Sequence, residues 1–237
     1  MAIPLNHIHP IEDPETEART AMERSGLYGF LVTAFRSEPT GAQIKGMKSP
    51  SFQEVLGDLD FGFMNIDEAE LAKDLAVEYA ALFLGPGGHV SPHESVHVEN
   101  GGQLLGEATV AVRNYIEGCG FKYDSDYHGF PDHISTELEF MAEVTRQEAV
   151  AWQQQDLQKT LNCLDYERDF LMRHIGRWVP AFCKKILERA ELPFYRRIVE
   201  LTLSFLDSEV GEIDRRRSLA ESMRAGAFPA TKIGGLC

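Results

Sequence analysis

Histidines and carboxylates that could do chemistry concentrate between His89 and Glu143. His133 and Glu137 stand four residues apart, so one helix would stack them on the same face, as two metal ligands or an acid-base pair would be stacked. The plainer arrangement of the same residues is a helix start, with Asp132 capping the backbone and His133 bonded to a neighbouring segment. No second His-Glu pair at ligand spacing accompanies them, so a carboxylate-bridged di-metal bundle is not supported. His89, His93 and His97 would share a face only on a continuous helix, which Pro92 interrupts. Gly85-Pro86-Gly87-Gly88 lacks the Gly-Lys-Ser/Thr ending of a phosphate loop and follows a helix rather than a strand, and so reads as a helix stop and turn. Gly-x-Ser-x-Gly, His-Glu-x-x-His and dinucleotide fingerprints are all missing from the sequence. What remains of an enzyme is a small all-helical metal-dependent one using His133 and Glu137. A nucleotide-responsive use of the Gly85 to Gly88 loop is a further, weaker alternative.

The elements that must position these residues follow helical spacing almost throughout. Met22, Leu27, Phe30, Leu31 and Ala34 make one face of a helix from about Glu15 to Phe35, ended by Ser37 to Gly41 with Pro39. Two short helices fill Thr40 to Leu59. The next opens at Asn65 or Asp67 and runs through Leu71, Leu75, Tyr79, Leu82 and Phe83. After the loop from His89 comes a helix from about Gln103 to Glu117, then a polar stretch from Phe121 to Pro131. Asp132 sits at a capping position for a long helix reaching about Gln155, striped by Ile134, Leu138, Met141, Ala142 and Thr145. Another helix starts near Leu157, and Pro180 either kinks it or starts its successor. Leu192 to Val210 supplies one more, and Asp214 to Cys237 a final short helix with a loose tail from about residue 224. The fold class is all-α: one domain of about ten helices over residues 1–237, with no internal repeat.

Composition narrows the function. The 237 residues are 43% hydrophobic and 25% charged, as in ordinary globular chains, and 37 acidic against 23 basic residues give a net charge of -14. That balance disfavours nucleic-acid binding, which works by counterion release, and favours encounter with cationic partners. No export signal opens the chain, where Glu12, Asp13, Glu15 and Glu17 stand. The longest apolar stretch, Gly26 to Phe35, is roughly half of the ~20 residues that a spanning helix needs. Cys119, Cys163, Cys183 and Cys237 form no Cys-x-x-Cys pair, and reduced thiols in the cytoplasm are the expectation. Trp152 and Trp178 read as packing residues, and Arg215-Arg216-Arg217 as a basic cluster or exposed patch.

Three stretches carry a more specific signal. The first is Glu78-Tyr79-Ala80-Ala81-Leu82-Phe83 with Gly85-Pro86-Gly87 and then Pro92-His93-Glu94-Ser95. The second is Pro131-Asp132-His133-Ile134 with Glu137-Leu138-Glu139-Phe140-Met141. The third runs from Phe170-Leu171 through His174, Trp178 and Phe182 to Pro193-Phe194-Tyr195 and Leu201-Thr202. In this order, over roughly Gly26 to Leu206, the chain resembles the TorD/DmsD/NarJ family of cytoplasmic chaperones, following its aromatic-x-x-Leu-Phe and Asp-His signatures.

That resemblance implies a TorD/DmsD-like helical bundle without enzymatic activity or cofactor. Its partners would be a molybdoenzyme catalytic subunit and the twin-arginine leader peptide of that subunit, held until cofactor insertion is complete, so that export waits. Peptide-binding positions carried over by it fall on Tyr79, Leu82, Phe83, Pro92, Pro131, Asp132 and His133, with His93, Glu94 and Glu137 beside them. His93 departs from the aromatic that relatives often place after the proline, and Pro131 directly abuts Asp132 where some branches insert a residue. A leader of two cations followed by an apolar segment needs an acidic mouth beside an aromatic-aliphatic groove. Asp132, Glu94 and Glu137 could meet the guanidinium groups and Tyr79, Phe83 and Pro92 the apolar part. Leu82 and Phe83 also fit a core, whereas Tyr79 with its polar tip is the better surface candidate. The oligomeric state expected is a monomer or a domain-swapped homodimer.

Overall fold

The computed structural model describes residues 13–50, 52, 64–85, 88–99, 102–123 and 129–226. Helix α1 (Pro14–Arg36) starts where Asp13 accepts from the N–H groups of Glu15 and Thr16 at 3.0 and 2.9 Å, with Pro14 in the first turn. A reciprocal Thr40/Gln43 capping box opens α2 (Gly41–Met47). The second short helix expected before Leu59 falls outside the described residues. Asp67 caps α3 (Glu68–Tyr79), and the chain then widens into a π-helical turn over Ala80–Leu84, so the aromatic-x-x-Leu-Phe signature straddles the change of winding. Helices α4 (Glu94–Val98) and α5 (Glu107–Gly118) follow.

Helix α5 begins four residues later than its spacing suggests, because the Glu99 carboxylate accepts from the Ala108 N–H at 2.8 Å and takes the place of a local cap. A Cβ on Gly106 would lie 1.7 Å from Glu99 Oε2, so a side chain there would push the Glu99 carboxylate out of its present place. The long helix α6 (Ile134–Gln153) packs along α1 and turns into α7 (Leu157–Phe170), capped by Asp156. A second π-helical turn, Leu171–Ile175, joins α7 to α8 (Gly176–Leu187) without a break. Pro180 therefore lies inside α8 instead of starting a new helix. Its missing N–H leaves a rung open, and the π-turn just upstream places Leu171 O 2.8 Å from where a Gly176 Cβ would stand.

The last helix, α9 (Pro193–Arg224), is 32 residues long, about 48 Å at 1.5 Å per residue, where two separate helices were expected. Its second half is bound to the body by the buried Arg216 as well as by Ile213, Leu219 and Ala220, and hydropathy spacing does not register the arginine. Beyond it, the expected loose tail mostly falls outside the described residues. No strand occurs among the described residues, and the sole bridge joins His93 to His133. Among the described residues, no helix is long and apolar enough to cross a membrane.

One large core unites α1, α3, α6, α8 and α9, and a smaller cluster packs Ala18, Trp152, Leu161, Leu219 and Ala220. At the centre of the large core, Phe83 lies 4.9 Å from Tyr79, 6.2 Å from Phe182 and 6.0 Å from Tyr195 between ring centres. Trp178 continues this aromatic line, 5.2 Å from Phe182.

Candidate functional site

The two motif stretches meet. Ile134 N–H donates to Pro92 O and Glu94 N–H to Asp132 O, each at 2.9 Å, so the segments before α4 and α6 run antiparallel for one rung at His93 and His133. Asp132 then does for α4 what it was expected to do for α6: its Oδ2 accepts from Ser95 N–H at 3.0 Å. The cap of α6 is His133, whose Nδ1 accepts from Ser135 N–H at 3.1 Å. The two expected roles are thus exchanged, because the antiparallel rung brings Asp132 to the foreign helix and leaves His133 at its own.

Beneath this rung lies a cluster of carboxylates. Glu94 and Glu137 are fully buried and Asp132 is 1% exposed. Glu94 Oε2 pairs with His174 Nδ1 at 2.9 Å, and Glu137 Oε2 accepts from Trp178 Nε1–H at 3.0 Å. The remaining oxygens, Glu94 Oε1, Glu137 Oε1 and Asp132 Oδ1, have no hydrogen-bond donor. Arg177 is the nearest guanidinium to Glu94, 4.0 Å away and more than half exposed. Burial, and then the neighbouring Glu94 carboxylate, hold the Glu137 carboxyl well above the usual range. A proton on Glu137 lets it donate to Glu94, as two facing carboxyl groups require.

The upper edge of the junction is aromatic and neutral. His93 lies 5.0 Å from His133 and 5.3 Å from Phe130, ring centre to ring centre, and Phe130 is 37% exposed. Burial and the His93 ring push the His133 imidazole down to about 4, and burial also lowers His93. His97 Nε2–H donates to Ser91 O at 2.8 Å, and its ring faces Trp178 at 5.2 Å.

Of the ten residues singled out in the sequence, Pro92, His93, Glu94, Pro131, Asp132, His133 and Glu137 gather at or beneath this junction. Only His93 and His133 are half-buried; the other eight are buried. Leu82 and Phe83 are core residues, 2% and 4% exposed, which is the packing alternative weighed for them. Tyr79 does not reach the surface as its polar tip suggested: it is 4% exposed, and its hydroxyl donates to Phe35 O at 3.1 Å. The acidic side chains face inward. Nor do His133 and Glu137 work as a helix-stacked pair, since one is the cap and the other is committed to Trp178 inside the protein. Among the described residues, no group of three His, Cys, Asp or Glu is arranged to hold a metal ion. Pro86 and Gly87 of the glycine loop lie outside the described residues.

Sequence spacing missed a second buried polar centre. Arg24 on α1 donates to Glu209 at 2.8 and 2.7 Å, to Glu148 at 2.9 Å and to Glu167 at 2.6 Å. Arg216, fully buried instead of forming an exposed patch, reaches Glu148 at 2.8 Å and the Glu17 backbone carbonyl. Glu17 is likewise buried at the foot of α1, bound by Arg215 at 2.9 and 3.0 Å. The available signal was positional: Arg24 stands between Ala21 and Tyr28, and Glu148 between Thr145 and Trp152, at inward helical spacing.

Comparison with known proteins places this arrangement. A model of the nitrate reductase delta subunit family matches residues 46–184, which contain both halves of the junction. A Photobacterium profundum protein named chaperone protein TorD is 27% identical over 140 residues, covering 59% of this chain and 62% of that one. The chlorate reductase assembly chaperone protein of Ideonella dechloratans is 31% identical over 126 residues, 51% of this chain and 62% of its own length. A chaperone protein TorD of Shewanella piezotolerans is 23% identical over 217 residues, 83% of this chain and 94% of that protein. The first two matches thus span about three-fifths of those relatives. With the family model covering more than half of its residues, and in agreement with the resemblance read from its motifs, the chain belongs to the nitrate reductase delta subunit family.

Proposed function

We propose that the protein is a chaperone for a molybdenum-cofactor oxidoreductase subunit, binding its twin-arginine leader and apoprotein in the cytoplasm without turnover and delaying export until the cofactor is in place. The observation that supports this reading most is that the segment matched by the family model, residues 46–184, contains both motif stretches, which here are tied into one junction, and that proteins named as chaperones are among the chain's relatives. In this reading the ten residues serve binding mainly by building its frame. Tyr79 and Phe83 pack α3 against α1, α8 and α9, and Asp132, Glu94 and Glu137 tie α4 and α6 to each other and to the stretch through α8 from inside, while His93 and His133, with Phe130, offer a neutral aromatic edge to a partner. The net charge of -14 draws in a leader that begins with cations.

A pull-down from the native host, with this protein as bait and mass spectrometry of what is retained, tests the reading. Recovery of a large molybdopterin-dependent subunit with its leader uncleaved is the expected result. A bait that retains no such subunit, from cells shown to contain one, would contradict it.

A further inference from the structure

The motif helix has an outer face that the motif does not use. Along α3 and its π-turn, Glu70, Asp74, Val77, Ala81 and Leu84 are all exposed, Val77 and Leu84 each at 65%. Along this seam, Glu70, Asp74 and Val77 stand at the four- and three-residue steps by which one helix receives another, Ala81 joins Asp74 and Val77 in lining one cavity, and Leu84 follows at the end of the π-turn. Polarity is graded along the seam, with carboxylates at its N-terminal end and apolar side chains at its C-terminal end. A cavity of about 360 Å³ opens beside the apolar half, bounded by Ala81 and Leu82 on one side and by Arg189 and Leu192 on the other. Glu78 also lines it: this side chain is 8% exposed, its Oε1 accepts from the N–H groups of Glu191 and Leu192, and its Oε2 has no hydrogen-bond partner. Lys73 and Arg189 are the cations at the edges. Acidic groups outnumber them, with Glu70, Asp74, Glu78 and Glu191 on this side.

We propose that this seam is the docking surface for a helical peptide segment whose two adjacent cations precede an apolar run. The segment lies parallel to α3, so that its cations face Glu70 and Asp74 and its apolar side chains cover Val77, Ala81 and Leu84. This rests on the reading that the chain binds a twin-arginine leader, and it places that leader on the outside of the helix whose inside carries the signature. The order of charge and apolarity on the seam matches the order in such a peptide, and an antiparallel arrangement would set the cations against leucine.

The test is a fluorescence-anisotropy titration of the full chain with a labelled synthetic peptide of two arginines followed by an apolar helical run, at low salt. Glu70→Lys combined with Asp74→Lys, and separately Val77→Ser combined with Leu84→Ser, should each weaken binding by about tenfold or more while leaving the melting curve in place. A peptide of inverted order should bind about tenfold less tightly to the unaltered chain. Tight binding by the unaltered chain that neither pair of substitutions weakens overturns the seam and leaves leader binding standing. Failure of the unaltered chain to bind the peptide at all overturns both. If the substitutions instead convert a dimer to a monomer in sedimentation, the seam receives a second copy of this chain, and the proposal is wrong.

Discussion

Two buried polar centres lie in this protein, and they neutralise charge differently. In the Arg24/Arg216 centre, guanidinium groups reach Glu148, Glu167, Glu209 and Glu17 and tie α1, α6, α7 and α9 into one body. At the motif junction, three buried carboxyl groups have one imidazole, one indole and one backbone N–H within bonding distance, and no guanidinium closer than 4.0 Å. The first centre is closed by ion pairs. In the second, burial and the facing Glu94 carboxylate favour the protonated form of Glu137. The contrast is one of degree, since Glu167 keeps one oxygen without a partner and is itself pushed up to about 8 by burial despite Arg24. Arginine makes a buried carboxylate a structural fixture, whereas a carboxyl that must carry a proton ties the joint it sits in to pH.

Substitutions at four positions sharpen that contrast, beginning with the largest effect. Arg24→Ala leaves three carboxylates buried without their shared cation and should cost about 3–5 kcal/mol in chemical denaturation. A cost below about 1 kcal/mol would show that these ion pairs do not hold the helices. Asp132→Ala strips the buried Ser95 N–H of its acceptor and should cost about 1–3 kcal/mol. His133→Ala removes the α6 cap for about 1 kcal/mol, and His133→Asn should restore most of it, because asparagine caps as well. Glu137→Gln should change stability by about 1 kcal/mol or less at neutral pH, since the amide oxygen still accepts from Trp178.

The pH profile separates these variants further. Glu137 and Glu167 hold protons more tightly folded than unfolded, so each contributes stability that is complete below about 4.5 and drains away as pH rises through its raised value, about 8 for Glu167. Glu137→Gln and Glu167→Gln should each flatten that decline in urea titrations run across pH 5 to about 9. His133 works in the opposite direction. Its folded value near 4 lies below the ordinary 6.5, so its contribution is present above 6.5 and is lost as pH falls toward 4. His133→Asn should therefore reduce the loss of stability on acidification, and an unchanged acid limb would contradict the buried neutral imidazole.

Much of the fold was legible, because helix starts advertise themselves. Asp13, Thr40, Asp67 and Asp156 cap where local chemistry puts them, and the apolar stripe of α6 faces the core; in α1 only Leu31 and Ala34 of the expected stripe are buried, Leu27 and Phe30 are half-buried, and Met22 is exposed. Less legible were features made by distant partners. Asp132 reads as a local cap until the antiparallel rung sets it against Ser95, 37 residues away. Arg216 reads as part of an exposed basic run until α9 carries it to Glu148. Tyr79 reads as amphipathic until Phe35 supplies a carbonyl inside the core. Motif reading singled out seven residues that the fold gathers at one junction, but apart from Leu82 and Phe83, which also fit a core, it did not foresee the burial of the residues it named, since motif spacing says which residues travel together and nothing of which way they face.

The central claim is that the motif interior builds and the α3 exterior binds. Affinity for the arginine-led peptide, measured on Asp132→Ala and on the Glu70→Lys, Asp74→Lys pair at a temperature where both are folded, tests it most directly. The account predicts near-native affinity with a lowered melting point for Asp132→Ala, and lost affinity with a native melting point for the charge-reversed pair. Lost affinity in Asp132→Ala together with native affinity in the reversed pair would contradict it.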